Sequence, residues 1–138
     1  MKTTLDLVDI IWQRLNGSQL KTEINGGVYK HRRPAASQKE DVVINCLPIN
    51  TLQLQSAIVN VNIHVPNLTV AVNGTQDNSQ PDHTRLQELT AIAVTILSDV
   101  WAEDYNFDIQ QQTLIEDPEA GDHYINLRLE FFNINIKN

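Results

Sequence analysis

The sequence predicts an α+β fold in which an antiparallel sheet carries two helices on one face, in the order α-β-β-β-α-β-β. Two segments have apolar residues at the helical spacings of three and four positions. Between them, residues 57–65 alternate apolar and polar side chains, which is typical of an antiparallel strand with one buried face. The 138 residues contain no repeat, linker or low-complexity tract, so we expect one domain over residues 1–138.

The two predicted helices cover residues 3–16 and 82–102. Thr3 and Asp6 have the spacing of a capping box, and Gly17 supplies a C-terminal stop for the first helix. The apolar faces of the two helices consist of Leu5, Val8, Ile11, Trp12 and Leu15, and of Leu86, Leu89, Ala93, Ile96, Leu97, Val100 and Trp101.

The strands are predicted from β-rich runs bounded by glycine, proline and polar turns. They cover residues 28–33, 41–47, 57–65, 107–116 and 123–136. Residues 66–81 are predicted to form a loop or short hairpin that projects from the sheet, and residues 117–122 a turn. From these periods we expect a core made of Val8, Ile11, Trp12, Leu15, Val59, Val61, Ile63, Leu89, Ala93, Ile96, Val100, Ile125, Leu127 and Leu129.

The composition is typical of a globular protein and argues against general nucleic-acid binding. The formal net charge of −7 leaves few cations to neutralise phosphates. Cys46 is the only cysteine, so an intrachain disulfide is excluded and a reducing compartment fits best. No apolar stretch in the sequence is long enough to span a bilayer. We therefore expect a cytoplasmic location and no membrane partner.

The sequence contains no spacing that is typical of an enzyme, a metal site or a cofactor site. Cys46 lies within a hydrophobic strand and has no neighbour in the sequence that would lower its pKa. The four histidines lack the HxH, HxxxH and HExxH spacings of metal ligands. We expect no catalytic activity, no cofactor and no metal. A hydrolase remains an alternative if His64 and His123 converge in space.

The apolar pattern of the final strand changes phase between Phe131 and Phe132. The first set, on one strand face, is Ile125, Leu127, Leu129 and Phe131, and the second set, on the other face, is Phe132, Ile134 and Ile136. If the first set faces the domain core, the second forms an apolar patch that soluble monomers avoid. We therefore predict a subunit interface at Phe132, Ile134 and Ile136. The alternative is a β-bulge that returns both sets to one core.

The segment 67–80 is longer and more polar than a tight connection requires. It contains Asn73, Gly74, Gln76 and Asp77. We predict that these residues are mobile in the isolated subunit and become ordered against a partner. The alternative is a flexible loop without a role in assembly.

The element order resembles the tail terminator, or tail-completion, proteins of long-tailed bacteriophages and prophages. The features that carry the resemblance are a short N-terminal helix before Gly27-Val28-Tyr29, a strand that ends at Pro48, a long alternating strand, one long helix and a closing hairpin. The likeness covers nearly the whole chain and rests on element order and length. The family has an aromatic residue or a proline at the entry to the second strand, where this chain has Lys39-Glu40-Asp41.

The resemblance implies a structural role without an active site or cofactor. Such proteins form a ring, usually of six subunits, that caps the tail tube and joins it to the head connector. The implied partners are further copies of the chain, the tail tube protein and the head–tail connector protein, with DNA only in transit. Six copies of a chain with formal charge −7 carry −42, which favours passage of DNA without sticking. The implied location is the cytoplasm during assembly and then the virion tail.

A small non-catalytic binding module is the alternative from another functional class. In that case the chain would recognise a host protein or a soluble ligand in the groove between its sheet and its helices.

Overall fold

A computed structural model describes residues 3–47 and 56–132 of the chain. These residues form an α+β fold, which confirms the predicted class. The helices are α1 (Thr4–Asn16), α2 (Gln19–Glu23) and α3 (His83–Leu97). The strands are β1 (Val28–Lys30), β2 (Asp41–Cys46), β3 (Ser56–Pro66), β4 (Leu68–Val72), β5 (Thr75–Gln80), β6 (Val100–Trp101), β7 (Asn106–Asp117) and β8 (Asp122–Phe132).

Helix α1 begins at the capping box that the sequence predicts. The Thr3 side chain accepts a hydrogen bond from the Asp6 amide, and the Asp6 carboxylate accepts one from the Thr3 amide. Gly17 is the C-cap, as expected. Leu5 is 59% exposed, so its placement on the apolar face is wrong, and Leu7 is buried instead. The buried stripe is therefore shifted in the first turn.

Six strands form one sheet in the order β1-β2-β3-β8-β7-β6, and β4 pairs with β5 in a separate hairpin. Strands β2, β3, β8, β7 and β6 are antiparallel neighbours, but β1 runs parallel to β2. The prediction of a fully antiparallel sheet is therefore wrong at the edge formed by β1. Residues 31–40 carry the chain back before β2 starts, which gives the two strands the same direction.

The helices and one face of the sheet enclose a single core. Of the fourteen predicted core residues, eleven are buried and three, Trp12, Ile96 and Ile125, are half-buried against the core. The residues that complete this core are Leu7, Leu20, Ile24, Val28, Val42, Ile44, Ala57, Val65, Leu86, Leu97, Phe107 and Phe131. No described helix covers the opposite face, which we call the open face.

The predicted order α-β-β-β-α-β-β is incomplete. It lacks α2, the pair β4–β5 as regular strands and the short β6. The second predicted helix is also too long, because α3 ends at Leu97. Ser98 is an extended C-cap, and Asp99 adopts a left-handed φ of 51° that turns the chain away from the helix axis. Val100 and Trp101 then form β6.

Strand β8 runs through the phase change without a bulge in its pairing with β3. The register is continuous from Pro66 opposite Asp122 to Ser56 opposite Phe132. Phe131 is therefore fully buried and Phe132 is 39% exposed on the open face. The bulge alternative is wrong for this strand pair, and Ile134 and Ile136 lie outside the described residues.

Candidate interaction surfaces and polar cluster

Strands β4 and β5 form a hairpin arm (residues 68–80) that stands apart from the core. All its residues are exposed except Asp77, which is half-buried. The Asn73-Gly74 turn has φ angles of 52° and 78°, as a two-residue type I′ turn requires. The hairpin form of the prediction is therefore confirmed. Its ordering against a partner stays a prediction.

On one side of the hairpin arm β4 carries an apolar row, and the β5 residues opposite this row are Gln80, Asp77 and Thr75. Leu68, Val70 and Val72 alternate along β4 and are 44%, 37% and 50% exposed. A two-stranded hairpin is marginally stable alone in water, and these side chains have little of the core to cover them. This row was not predicted, although Leu-x-Val-x-Val before Asn-Gly is a hairpin signal in the sequence.

Hydrogen bonds fix the base of the hairpin arm to the end of the main sheet. Asn67 donates from its side chain to the Asn78 carbonyl at 2.8 Å, and its amide oxygen lies 2.6 Å from His123 Nδ1. Gln76 and Asp77 line a polar cleft of about 450 Å³ between the arm and the β7–β8 turn. The arm is thus anchored at its base, and its β5 strand lies beside the β7–β8 turn.

A second exposed surface, the end patch, consists of Trp101 and Phe132. Trp101 lies opposite Asn106, and Asn106 lies opposite Phe132, so the three side chains share the open face. Trp101 is 72% exposed, and its indole N–H donates to the Asp99 carboxylate at 2.7 Å. Its assignment to the apolar face of a helix was wrong. The end patch extends the predicted interface at Phe132.

The hairpin arm and the end patch lie at opposite ends of the β3–β8 ladder. The arm leaves β3 at Pro66, whereas Phe132 is opposite Ser56. Strand β3 has eleven residues from Ser56 to Pro66, so its ends are ten steps of about 3.3 Å, or about 33 Å, apart. One molecule therefore presents two different apolar surfaces, one at each end of the ladder.

The β7 edge and an adjoining groove form a third surface. Among the described residues, β6 pairs with β7 only at Asn106 and Phe107, so the rest of β7 is an open sheet edge. A groove of about 450 Å³ lies beside it, between α3 and the sheet. Its apolar lining includes Leu86, Val94 and the exposed Leu114.

A buried polar cluster lies at the hairpin-arm end of the sheet, on the open face. The polar cluster consists of Arg33, Ser37, Asp41, His64, Asp117 and Asp122. Arg33 donates to Asp122 at 2.6 Å and to Asp41 at 3.4 Å. Ser37 donates to Asp41 at 2.5 Å. These contacts fold the 31–40 segment over the ends of β2, β3 and β8.

His64 and Asp122 form the centre of this polar cluster. His64 Nδ1 lies 3.2 Å from Asp122 Oδ2, and its ring packs on Tyr124 at a centroid distance of 4.6 Å. Burial alone would raise the pKa of Asp122, but hydrogen bonds and charge from His64 and Arg33 outweigh burial and lower it. Asp122 Oδ1 is buried without a hydrogen-bond partner.

The other residues considered for catalysis do not come together. His64 and His123 occupy opposite faces of the sheet, because His123 neighbours both Asp122 and Tyr124 along β8. Burial raises the pKa of the Cys46 thiol to about 11, so it is protonated at neutral pH and a weak nucleophile. The convergence on which the hydrolase alternative depended is absent for this pair.

Comparison of the chain with protein-family models and with curated proteins gives no match. None of the helices in the described ranges has the length and apolar character needed to cross a membrane.

Proposed function

We propose that the chain is a structural subunit that assembles with its own copies into a ring, and that this ring caps a phage or prophage tail tube and joins it to the head connector. The observation that carries the proposal is the pair of apolar surfaces at opposite ends of the β3–β8 ladder. In the proposed assembly, the hairpin arm of one copy packs on the end patch of the next.

Two different surfaces in contact give a head-to-tail interface. Such an interface forms a closed ring if the rotation between neighbours closes, and an open filament if it does not. An apolar row on the arm suits this contact, because Leu68, Val70 and Val72 remain 44%, 37% and 50% exposed within their own subunit. The residues of the arm that the sequence predicts to contact a partner, Asn73, Gly74, Gln76 and Asp77, form its tip and the start of β5.

The charge of the chain agrees with a ring through which DNA passes. A formal charge of −7 per copy disfavours stable contact with phosphates. The proposed partners are the tail tube protein and the connector protein, in the cytoplasm during assembly and in the virion tail afterwards.

Two double variants test the contact from its two sides. Leu68→Thr with Val72→Thr makes the arm polar and keeps β-branched side chains in the strand. Trp101→Ser with Phe132→Ser removes the end patch. Native mass spectrometry, with and without tail tube protein, should detect a ring for the natural chain and monomers for each variant. Circular dichroism checks that both variants remain folded.

Mixing the two double variants gives a sharper result. Each variant keeps one intact surface, so a head-to-tail contact predicts a dimer of one copy of each and nothing larger. The matched control is Leu5→Ser, which removes an exposed leucine on α1 that belongs to neither surface, and should leave the ring intact. Rings that persist in both double variants, or electron micrographs of capped tubes that are unchanged by them, would refute the proposal.

The groove between α3 and β7 favours the binding module as a second candidate. An apolar groove beside an open strand edge can accept an extended peptide, which adds a strand to the sheet. This function predicts a chain that stays monomeric with tube protein and loses its ligand when Leu114 is changed to Ser.

A further inference from the structure

We propose that His64, Asp117 and Asp122 form a binding site for a divalent transition-metal ion such as Zn²⁺. Each residue offers one ligand atom, and these three atoms lie within 4.8 Å of one another. One imidazole nitrogen and two carboxylate oxygens are ligands that zinc accepts at about 2.0–2.2 Å. Small side-chain movements bring the three atoms to this distance from a shared ion, and water completes the shell.

The buried carboxylate of Asp122 is a second, independent observation that points to a bound cation. Its side chain is 3% exposed, and Oδ2 binds Arg33 and His64 while Oδ1 has no hydrogen-bond partner. Buried carboxylate oxygens are normally satisfied, because leaving one without a partner costs the desolvation free energy of that atom. A cation bound at this carboxylate satisfies that oxygen.

The charge of the polar cluster matches a divalent ion. Among the described residues, Arg33 supplies positive charge to the polar cluster through its ion pairs with Asp41 and Asp122. With Asp117 the cluster has three carboxylates and one guanidinium, a formal charge of −2 when His64 is neutral. Buried charge of one sign is unfavourable unless it is compensated, and one divalent ion compensates it fully.

The surroundings provide a route to the site. Asp117 lines a cleft of about 610 Å³ between the 31–40 segment and the β7–β8 turn. Asp122 lines a smaller polar cleft of about 230 Å³ beside Pro66 and Asn67. An ion at this position would connect the end of β3, from which the hairpin arm leaves, to the β7–β8 turn.

The sequence did not predict this site because its ligands come from separate segments. His64 lies near the end of β3, while Asp117 and Asp122 are opposite each other at the ends of β7 and β8. No short spacing motif links the histidine to the carboxylates. The register of the sheet brings them together.

The test uses the full chain without a histidine tag, stripped with chelator and titrated with Zn²⁺ in a calorimeter. We expect one equivalent per chain and a higher melting temperature with zinc. Co²⁺ at the same site should give a visible absorption spectrum of nitrogen and oxygen coordination. Asp117→Asn, which leaves the Arg33 pairs in place, should weaken zinc affinity by about tenfold or more.

Two matched controls distinguish this site from surface binding. Glu116→Gln makes the same charge change one residue away, on the other face of β7, and should leave the affinity unchanged. Replacing the exposed His31 and His83 together by Gln should also leave it unchanged. The proposal is wrong if zinc does not bind stoichiometrically, if Glu116→Gln and Asp117→Asn have equal effects, or if the surface histidines account for binding. None of these outcomes depends on ring formation.

Discussion

Two neighbouring runs of alternating residues end up in opposite environments. Val61 and Ile63 on β3 are fully buried, whereas Leu68, Val70 and Val72 on β4 are exposed, although only a few residues separate the runs. The first run faces the helices, and the second belongs to the hairpin arm, which leaves the sheet after Pro66. Alternation therefore predicts a strand and one apolar face, but the cover of that face depends on tertiary structure.

The difference is also energetic. Burying a valine, leucine or isoleucine side chain contributes about 1.5–3 kcal/mol to the free energy of unfolding. The β3 residues contribute this stabilisation within the isolated chain. The β4 residues are still 37–50% exposed, so covering them with another surface adds only the remaining part of this stabilisation, which is available to an assembly.

Truncation of one side chain on β3 and one on β4 gives the largest expected difference in the free energy of unfolding. Ile63→Ala leaves a cavity in the core and should lower the free energy of unfolding by about 2–5 kcal/mol. Val70→Ala on the arm should change it by less than about 0.5 kcal/mol, because a surface substitution leaves no cavity. Urea unfolding of both variants, at a concentration where the chain is monomeric, measures the difference. Equal losses would mean that the arm is covered within its own subunit.

A smaller and local effect is expected from the turn of the hairpin arm. Gly74 has φ = 78°, so Gly74→Ala should destabilise the arm by about 1–2 kcal/mol through the left-handed conformation alone, since a Cβ there meets no atom within 4 Å. Hydrogen exchange should show faster exchange of β4 and β5 amides with an unchanged urea midpoint. Gly17→Ala is the control, because Gly17 has φ = −93° and a Cβ there meets its nearest atom at 3.6 Å. A shifted midpoint for Gly74→Ala would show that the arm unfolds together with the core.

The sequence predicted those parts of the fold that depend on local periodicity. The capping box at Thr3 and the alternation along β3 depend on nearby residues, and both are present in the structure. The end of α3 was missed because Val100 and Trp101 continue the helical period, while Ser98 and Asp99 turn the backbone. The apolar pattern of a sequence does not reveal a single residue with a left-handed backbone conformation.

The candidate surfaces were predictable to different degrees. Phe132 followed from the phase of β8, since each residue of a strand faces opposite to the next. Trp101 could not be placed beside it without the β6–β7–β8 pairing. The contacts of Arg33 with Asp41 and Asp122 join residues far apart in sequence, and periodicity carries no information on such pairs.

The hairpin arm and the polar cluster each contain a carboxylate with a lowered pKa. On the arm, hydrogen bonds from Ser79 lower the pKa of the half-buried Asp77. In the polar cluster, His64 and Arg33 lower the pKa of the buried Asp122 and outweigh the effect of burial, which raises it. If the arm opens independently of the core, the shift at Asp77 affects the arm alone. The shift at Asp122 should affect unfolding of the whole domain.

The difference between Asp122 and Asp77 gives the smallest expected effect on stability, because it appears only at acidic pH. The folded pKa of Asp122 lies below its unfolded value of about 3.9, so its ionised form stabilises the fold above that pH. As the pH falls through the folded pKa, this stabilisation is lost. With chelator present, Asp122→Asn should flatten the loss of stability below about pH 4, and Asp77→Asn should not. Urea midpoints measured at a series of pH values provide the slopes. If Asp77→Asn flattens the slope as much as Asp122→Asn does, the arm and the ladder unfold as one unit, and the independence inferred for the arm is wrong.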